Sequence, residues 1–465
     1  MAASFFVCLA VVLLVGLSSA RQAKASAADY FLASRTVPPW LVGLSAVATN
    51  NSGYMFIGLI GYTHAVGIQS IWLMVGWITG DLIASRIAHE RMRDEAERVQ
   101  ANGIISLLAR WGGNHHRSWQ ILAALVSVVF LSTYAAAQIS AGGKALEGML
   151  DIPMAVGMSM VALVVIAYSI AGGMRASIWT DASQSLLMVV SMVVLLWATV
   201  AHLGGTQAVL QQAAAIPGFL EAKPTGLELT GWAGPVAFVV GWMFAGAAAL
   251  GQPHIVSRFL ALQHTRQMNR VRLWYYSYYL LFYCFATTVG LLSRLYFGDH
   301  TGFDPEMALP HMARELLPPW LAGLMLAGIF AATMSTADSL VLSCSSALTQ
   351  DLPKTPSEQR WLLKAATALV TVFALLIGLV SEQSVFSLVV WAWGTLGAAF
   401  VPVLIWKVCG AQLSSVSMLC MSVTGVSVTV AWKFYGFPDT VYEGAVGMSV
   451  ALALGYFLSR PQLRW

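Results

Sequence analysis

Charged residues are scarce in this sequence, and their scarcity excludes most classes of soluble protein. Asp, Glu, Lys and Arg make up 10% of the 465 residues, whereas they make up about a quarter of a typical soluble domain. Hydrophobic residues reach 58%, and the mean hydropathy is +0.71. We therefore expect a polytopic membrane protein. The net charge of +4 is too small an excess to indicate nucleic-acid binding.

Motifs of hydrolases and metal sites are also missing. The sequence contains no HExxH, GxSxG or CxxC pattern, and its nine histidines are dispersed. We therefore expect no enzyme, and we interpret His254 as a structural residue at the cytoplasmic end of its span. The spacings of the five cysteines fit neither a disulfide framework nor a zinc site, so we interpret them as buried thiols. They are Cys8, Cys284, Cys344, Cys409 and Cys420.

Thirteen apolar segments have the length of a membrane-spanning helix, which is roughly 20 residues for a bilayer core about 30 Å thick. They are predicted at residues 4–20, 39–62, 68–87, 119–142, 152–172, 178–203, 232–250, 271–296, 318–345, 361–382, 385–407, 411–432 and 441–459. The first segment ends in small residues, as a signal peptide does, but the first twenty residues contain no Lys or Arg. We therefore interpret it as a membrane helix.

Lys and Arg are distributed unevenly between the two sides that these spans define. With the N-terminus outside, 20 of the 25 basic residues fall in cytoplasmic segments and five fall on the other side. Positive charge is enriched in the cytoplasmic loops of membrane proteins. The distribution therefore predicts a protein of the cytoplasmic (inner) membrane with its N-terminus outside and its C-terminus inside.

Two segments near the predicted cytoplasmic boundary have mixed patterns. Residues 89–117 combine both charge signs with the apolar run IISLLARW, which favours a solvated connector or a short surface helix. The aromatic run LWYYSYYLLFY at 273–283 begins at the boundary, where aromatic rings prefer the headgroup region. We expect an interfacial belt at this run rather than a ligand cage.

The second and seventh spans are interrupted. ATNNSG at 48–53 contains polar groups that must find partners inside the protein or in water, and glycines and a proline weaken GWMFAGAAALGQPHIVSRF at 241–259. Two interrupted spans five helices apart indicate a secondary transporter with inverted repeats, with kinked structural helices as the alternative. We predict one transmembrane domain over 1–465, comprising an N-terminal extra helix and loop (1–38), repeats at 39–203 and 232–408, and two C-terminal helices (409–465).

The ninth span contains a hydroxyl-rich stretch, AGIFAATMSTADSLVLSCSSALTQDL at 327–352. Helical spacing places Ala332, Ser335, Thr336 and Ser339 on neighbouring parts of one face, with Asp338 one turn from Ser335. A sodium ion prefers several neutral oxygens and at most one or two carboxylates. The alternative is that these hydroxyls bond to their own helix, but an intramembrane carboxylate favours a functional site.

Two other spans supply further candidate ligands. Carbonyl groups freed near Ala48 and Asn51 can bind a small hard cation, and the amide end of a half-helix can face an anionic group of a substrate. Asp181, near the start of the sixth span, is an acidic candidate unless it caps that helix. Together these patterns favour transport coupled to sodium.

The motifs resemble those of the sodium:solute symporter family, and the likeness covers nearly the whole chain. It runs through DYFLASR, SAVATNNSG, STYAAAQISAG, SIWTDASQ, GQPHIVSRF, GIFAATMSTADS and WAWGTLGAAFVPV. GQPH followed by R-F, together with the MST stretch, is specific to that family. The resemblance implies an all-α, LeuT-like fold with a 5+5 inverted repeat and one extra N-terminal helix, and the motifs are most similar to those of sodium-coupled proline transporters.

The resemblance also implies roles for individual residues. The implied sodium ligands are the carbonyl groups of Ala48, Asn51 and Ala332 and the hydroxyls of Ser335 and Thr336. The implied substrate-binding residues are Asn50, Ser52, Gly53, Tyr54, Tyr134, Ala245, Ala249, Gln252 and Pro253. Arg35 and Asp181 match positions used in coupling or in a second sodium route.

Two departures concern charge. Asn50 stands where the proline transporters have an aspartate that is important for sodium, and Asp338 stands where the family more often has a small polar residue. Both changes together could mean that the carboxylate has moved between helices. We hypothesise that Asp181, Asp338 and Ser339 form a second cation or proton site, since two close carboxylates need a counter-charge.

A third departure concerns the substrate pocket. Ala245 and Ala249 stand where the proline transporters have a Trp and a Tyr, so the pocket is larger than proline needs unless Trp242 compensates. We therefore expect a sodium-coupled importer of a small organic solute, such as an amino acid like proline, working by alternating access. Its expected partners are the solute, Na⁺ and the lipid bilayer, with no nucleic acid and no obligatory protein partner.

Several alternatives differ in what the fold does. Coupling to protons, another solute, or a sensor that binds without translocating are each compatible with the pattern. A sensor is disfavoured because the chain ends at LSRPQLRW without a kinase or regulatory extension. A passive channel is the remaining alternative, although broken helices fit occlusion better than an open pore.

Overall fold

α-Helices make up nearly all of the regular structure in the computed structural model of this chain, which describes residues 1–20, 27–171, 173–225, 227, 229–298, 304–354, 359–436 and 440–459. The helices are α1 (Ala2–Ala20), α2 (Ala27–Leu32), α3 (Pro39–Gly53), α4 (Leu59–Val66), α5 (Ile71–Arg98), α6 (Ile104–Arg110), α7 (Arg117–Leu150), α8 (Met154–Ala171), α9 (Met174–His202), α10 (Thr206–Ala215), α11 (Ala233–Ala247), α12 (Pro253–Leu260), α13 (Met268–Phe297), α14 (Ala308–Leu316), α15 (Pro319–Ser346), α16 (Arg360–Val380), α17 (Val385–Val408), α18 (Ser415–Tyr435) and α19 (Glu443–Leu458).

Each of the thirteen predicted spans contains helix. Nine helical stretches of the described residues are long and apolar enough to cross a membrane. One of them, Pro39–Arg98, includes both the second and the third predicted spans. Three shorter apolar helices, Ala2–Gly16, Met154–Ala167 and Glu443–Leu458, lie at the first, fifth and last predicted spans. The all-α membrane architecture predicted from the sequence is therefore confirmed. Residue 172 of the fifth predicted span and residues 21–26, 226, 228, 299–303, 355–358, 437–439 and 460–465 of the predicted domain lie outside the described part of the chain.

Both predicted interruptions are present. α3 ends at Gly53 after Ser52 adopts φ 46° and ψ −179°, and a π-helical turn, Tyr54–Gly58, leads into α4. α11 ends at Ala247, a 3-10 turn covers Ala248–Gly251, and Gln252 is extended before Pro253 starts α12. A proline at the first helical position has no N–H that needs a partner and is pre-organised for the helix. The chain therefore resumes a helix directly after the second interruption.

Glycine permits the close crossing of α5 and α11. A Cβ atom on Gly80 would lie 1.9 Å from the carbonyl oxygen of Met243, and one on Gly246 would lie 2.0 Å from that of Trp77. Small residues let membrane helices approach this closely, and the contact replaces lipid packing with protein packing. Side chains on the facing sides of α5 and α11 are consequently held inside the bundle.

α15 and α17 form the interior of the bundle. α15 packs against α3, α7 and α9, and α17 packs against α7, α18 and α19. α1 also packs on α15, where the rings of Phe5 and Phe330 lie 5.0 Å apart. The hydroxyl-rich face of α15 therefore meets the interrupted helix α3 and the helix that carries Asp181.

Three expectations from the sequence are wrong. Tyr275, Tyr279 and Tyr283 are not an interfacial belt, because their spacing of four residues places them on one buried face of α13. The apolar run between α5 and α7 is neither solvated nor superficial, since nearly every residue of α6 is buried. Among the cysteines only Cys344 is buried, whereas Cys284 and Cys420 are exposed on the outer surface of the protein.

Candidate functional site

The interruption of α3 redirects its backbone hydrogen bonds. In a continuous helix the N–H of Gly53 would bond to the carbonyl oxygen of Thr49. Here that N–H donates to Oε1 of Gln138 at 2.8 Å, and the Thr49 carbonyl accepts a bond from Oγ1 of Thr336 at 2.8 Å. A Cβ atom on Gly53 would lie 2.7 Å from Cγ2 of Thr333, so glycine is needed for this approach. α7 and α15 are thereby bonded directly to the break.

The five residues implied as sodium ligands lie where α3 meets α15. Ala48, Asn51, Ala332, Ser335 and Thr336 are all fully buried. The carbonyl oxygen of Asn51 accepts from the N–H of Tyr54, and Thr336 bonds to α3 as described above. The structure places these residues at one junction, where hydroxyl and carbonyl oxygens are the donors that a hard monovalent cation prefers.

Asp181 lies at the centre of this junction. Its Oδ1 accepts a hydrogen bond from Ser335 at 2.6 Å, and its Oδ2 accepts from Ser45 at 2.6 Å and from Thr49 at 3.3 Å. The capping alternative is wrong, because α9 begins at Met174 with Gly173 as its N-cap and Asp181 lies two turns further on. The carboxylate instead connects α9 to α3 and α15.

Arg258 supplies the positive charge that faces this carboxylate, a role that was not predicted for it. The side chain, on α12, is fully buried, and its Nη2 lies 3.2 Å from Oδ2 of Asp181. The same nitrogen donates to Ser177 at 3.0 Å and to Ser339, and Nη1 donates to the carbonyl oxygen of His254 at 2.6 Å. A buried ion pair needs such additional bonds to offset the cost of desolvation.

The hypothesised second site therefore contains a protein cation. Asp338 is buried near the hydroxyl groups of Ser169 and Ser177, where it interacts with the charges of both Asp181 and Arg258. Ser339 donates to the carbonyl oxygen of Ser335 and accepts from Arg258. The structure thus brings Asp181, Asp338 and Ser339 together and adds Arg258 to them.

The implied substrate-binding residues surround the two helix breaks. The hydroxyl of Tyr134 donates to Oγ of Ser52 at 3.3 Å, and the Tyr134 ring lies 5.5 Å from the ring of His254. Nε2 of Gln252 donates to the carbonyl oxygen of Trp393 at 3.0 Å. The breaks are therefore linked through α7 and α17 within one region of the bundle.

Several polar side chains of this region are buried without a hydrogen-bond partner among the described residues. They are both amide atoms of Asn51, Nε2 of Gln138, Oε1 of Gln252 and both ring nitrogens of His254. A buried polar group without a partner costs about 1–3 kcal/mol. Their concentration beside the two breaks favours a site that a polar solute completes. His254 accordingly lies beside the breaks rather than at the cytoplasmic end of its span.

Trp393 packs against the small residues of α11, next to an aromatic layer formed by Tyr54, Trp77, Trp242, Phe386 and Tyr442. The indole Nε1 of Trp393 donates to the carbonyl oxygen of Ala245 at 2.7 Å, and Ala249 is also buried. Trp242 does not fill the place of the missing rings, because it stacks on Trp77 at 5.6 Å and on Tyr442 at 5.4 Å. The indole of Trp393 therefore lies against the Ala245 backbone.

Members of this aromatic layer line a cavity of about 410 Å³. The cavity is lined by residues that include Tyr62, Gln69, Phe238, Trp242, Phe386 and Tyr442. Tyr54, whose ring lies 5.7 Å from Trp77 and 5.5 Å from Phe386, belongs to the same layer. On the opposite side of the breaks, a cavity of only about 30 Å³ is lined by Pro253 and Ser257 among others. Of these two cavities, the one on the Tyr62 side is the larger.

Arg35 lies away from these ligands. Its Nη2 donates to the carbonyl oxygens of Ala96 and Ala101 at 3.0 and 2.7 Å, which ties the turn before α3 to the end of α5. Burial lowers the pKa of its guanidinium from the ordinary value. The backbone of Val37 pairs with the segment after α12, since its N–H donates to the carbonyl oxygen of Ala261. The loop that contains Arg35 and Val37 therefore contacts both the end of α5 and the segment that follows α12.

Another buried carboxylate, that of Asp81, was not predicted from the sequence as a candidate. It lies on α5 and accepts a hydrogen bond from Tyr275 at 2.9 Å, and Nδ2 of Asn50 donates to the same tyrosine hydroxyl at 2.7 Å. The sequence signal was present, because Asp81 lies in the middle of the apolar stretch at 68–87.

Comparison with known proteins covers nearly the whole chain. The Sodium:solute symporter family matches residues 30–425. The sodium/proline symporter of Escherichia coli (strain K12) is 28% identical over 481 residues, covering 98% of this chain and 93% of that protein. The high-affinity proline transporter of Bacillus subtilis (strain 168) is 26% identical, covering 93% of this chain and 92% of that protein.

Solved structures are similar in fold. A Na⁺-coupled sialic acid symporter in a substrate-bound, outward-open state aligns with a TM-score of 0.83 and 19% identity over 98% of both chains. MhsT in complex with L-phenylalanine aligns with a TM-score of 0.58 and 13% identity, covering 90% of this chain and 98% of that one. These likenesses confirm the predicted LeuT-like fold.

Proposed function

The chain belongs to the sodium:solute symporter family, and from this membership we propose that it is a sodium-coupled importer of a small organic solute in the cytoplasmic membrane. The proposed solute is an amino acid such as proline, which is what the similar proteins of Escherichia coli and Bacillus subtilis are named for. The proposed orientation places the N-terminus outside and the C-terminus inside. Repeats at 39–203 and 232–408 are the proposed units of alternating access.

One observation carries this proposal: the interruption of α3 is bonded directly to the hydroxyl face of α15. Thr336 bonds to the freed carbonyl of Thr49, and Ser335 and Thr49 both bond to the carboxylate of Asp181. We propose that Na⁺ binds at this junction through the carbonyls of Ala48, Asn51 and Ala332 and the hydroxyls of Ser335 and Thr336. Because such a cation contacts two helices at once, its binding would favour the arrangement in which they are close.

The proposed solute site lies beside this junction. Asn51, Gln138, Gln252 and His254 have buried polar atoms without partners in the described structure, and these atoms can bind the polar groups of a solute. Pro253 and the extended Gln252 place the N-terminus of α12 here, and the positive end of the helix dipole favours an anionic group such as a carboxylate.

Uptake into proteoliposomes tests the proposal. Labelled proline and a panel of amino and organic acids would be supplied with and without an inward sodium gradient, to the wild type and to the double variant Ser335→Ala/Thr336→Ala. We expect gradient-driven accumulation of at least one solute by the wild type and its loss in the double variant, because two of the five proposed ligands are removed.

A matched control removes two hydroxyls that take no part in the junction. Ser159 and Thr288 bond only to carbonyls of their own helices and lie on exposed helix surfaces, so Ser159→Ala/Thr288→Ala should transport like the wild type. Accumulation by the first double variant equal to that of this control would contradict the proposed sodium site. Saturable binding without accumulation would favour a sensor, and uptake driven only by a pH gradient would favour proton coupling.

A further inference from the structure

Asp81 is an intramembrane carboxylate that no cationic side chain in the described part of the chain neutralises. It lies inside the bundle one turn after Trp77 and is 1% exposed. No Lys or Arg of the described residues forms an ion pair with it. The neighbouring Arg272 is directed to Ser85 and Glu90. An ionised carboxylate is expensive to bury unless a cation or several hydrogen bonds compensate it.

A chain of two hydrogen bonds orients this carboxylate. The amide nitrogen of Asn50 donates to the hydroxyl of Tyr275 at 2.7 Å, and that hydroxyl donates to Oδ2 of Asp81 at 2.9 Å. An asparagine can make the first bond, whereas an ionised aspartate at this position would place a second negative charge on the same phenol. An amide at position 50 is therefore compatible with a carboxylate at position 81. The negative charge near the break of α3 belongs to Asp81 on α5.

The position of Asp81 also brings it next to the space beside α11. The backbone N–H of Asp81 faces Gly246, since a Cβ atom there would lie only 2.6 Å from that nitrogen. Gly246 lies between the two small residues Ala245 and Ala249, and Asn50 precedes Asn51, whose amide has no partner in the described structure. The α5 backbone at Asp81 therefore packs against α11 beside these small residues, and the Asn50–Tyr275 hydrogen bond links its carboxylate to the break of α3.

Aromatic side chains lie around Asp81. The phenols of Tyr275 and Tyr276 are both beside its carboxylate, and Trp77, one turn earlier on α5, is buried against Trp242 and Trp393. Aromatic faces attract ammonium groups that lie over them, and this attraction is strongest at sites shielded from water. An ammonium group beside Asp81 would neutralise the carboxylate and lie among aromatic side chains.

We propose that Asp81, oriented by Tyr275 and Asn50, binds a cationic group, for which the source favoured by its position is the ammonium group of the transported solute. This inference rests on the proposed function, because it assigns a second recognition point to the same solute site. The helix breaks would hold the anionic end of the solute and Asp81 its basic nitrogen. Solutes without a basic nitrogen would then be poor substrates. The other source of the same chemistry is an inorganic monovalent cation.

The test compares solutes that differ only in the amino group. The pairs are proline and cyclopentanecarboxylate, alanine and propionate, and phenylalanine and 3-phenylpropionate. Each competes for sodium-driven uptake of the labelled solute that the wild type accumulates. We expect the amino member of the recognised pair to inhibit the wild type about 10- to 100-fold more strongly, as a charge-assisted contact implies, and Asp81→Asn to lose most of this preference. A Tyr275→Phe variant, which keeps the carboxylate, should lose less.

Sodium dependence separates the two sources. If Asp81→Asn keeps the preference for the amino member but raises the sodium concentration for half-maximal uptake several-fold, the cationic group is inorganic. If neither quantity changes, the proposal is overturned. Asp151→Asn is the matched control, because it removes an exposed carboxylate from a position with φ 54° that asparagine adopts readily.

A binding measurement keeps this test independent of transport. Purified wild type and Asp81→Asn are heated with each member of the three pairs, and the rise in Tm is recorded. An amino member that raises the Tm of the wild type but not that of Asp81→Asn supports the proposal. If that solute binds without being accumulated, the importer function is refuted while the role of Asp81 stands. Equal rises in both proteins would overturn the role of Asp81.

Discussion

Asp181 and Asp81 are both buried carboxylates in membrane-spanning helices, but their surroundings differ. Asp181 accepts bonds from Ser45, Thr49 and Ser335 and pairs with Arg258. Asp81 accepts one well-formed bond, from Tyr275, and has no cation beside it in the described part of the chain. The first carboxylate is therefore built into the contact of four helices, whereas the second retains capacity to bind. The comparison separates a carboxylate that holds the bundle together from one that recognises a ligand.

The largest expected effect is on Asp181→Asn. Removing one partner of a buried ion pair costs about 3–5 kcal/mol, because the other charge is left uncompensated. We expect a clear fall in Tm and the loss of sodium-driven uptake. Asp81→Asn should leave the Tm unchanged or raise it, since it removes an uncompensated charge. Thermal unfolding of the purified variants measures this difference.

A double variant tests whether the pair itself is responsible. In Asp181→Asn/Arg258→Gln both charges are absent, so we expect a higher Tm than in Asp181→Asn alone. Equal Tm values for the single and double variants would show that the charge of Arg258 does not destabilise the protein when the charge of Asp181 is absent. An equally large loss of Tm in Asp81→Asn would contradict the difference in structural role between the two carboxylates.

Local sequence patterns predicted both helix breaks, but they did not predict the directions in which side chains point. ATNNSG and GQP contain residues that interrupt a helix wherever it packs, so the breaks at Ser52 and Gln252 followed from the sequence. Arg258 occurs in a motif recognised from the sequence, but only the packing of α12 turns its side chain towards Asp181. The candidate sodium ligands could be listed by helical spacing, but the role of Thr49 depends on which N–H bonds the break releases.

The tyrosines of α13 illustrate a second limit. An aromatic run at a span end has the composition of an interfacial belt, and composition does not tell which face is buried. The contact with α5 and α3 decides it, because Tyr275 is drawn inward by Asp81 and Asn50. Asp81 itself was detectable as a carboxylate within a span, but its function depends on partners from two other helices.

A smaller effect is expected for Asp338→Asn. Asp338 interacts with Asp181 and Arg258 without being their direct partner, so its removal should change the local charge while the Asp181–Arg258 pair persists. We expect a shift of several-fold in the sodium concentration for half-maximal uptake, or a changed dependence of uptake on pH, with little loss of Tm. The measurement is initial uptake rate against sodium concentration at several pH values. Unchanged curves would remove the second cation or proton site from consideration.

The smallest expected effect is on Asp151→Asn, which provides the solvent-exposed reference for both buried carboxylates. Asp151 pairs with Arg314, and the hydrogen bond from Arg314 lowers the pKa of Asp151 below its ordinary value of 3.8. A lowered pKa means that the pair stabilises the folded protein above pH 3.8 and that this stabilisation is lost as the pH falls through the folded value. The contribution should therefore be constant from pH 5 to 8, and it should be small because water and salt screen exposed pairs. We expect the Tm of Asp151→Asn to stay within about 2 °C of the wild type throughout that range, with unchanged uptake. A larger change at neutral pH would mean that the turn between α7 and α8 takes part in the conformational cycle, and burial alone would then no longer explain the difference between exposed and intramembrane carboxylates.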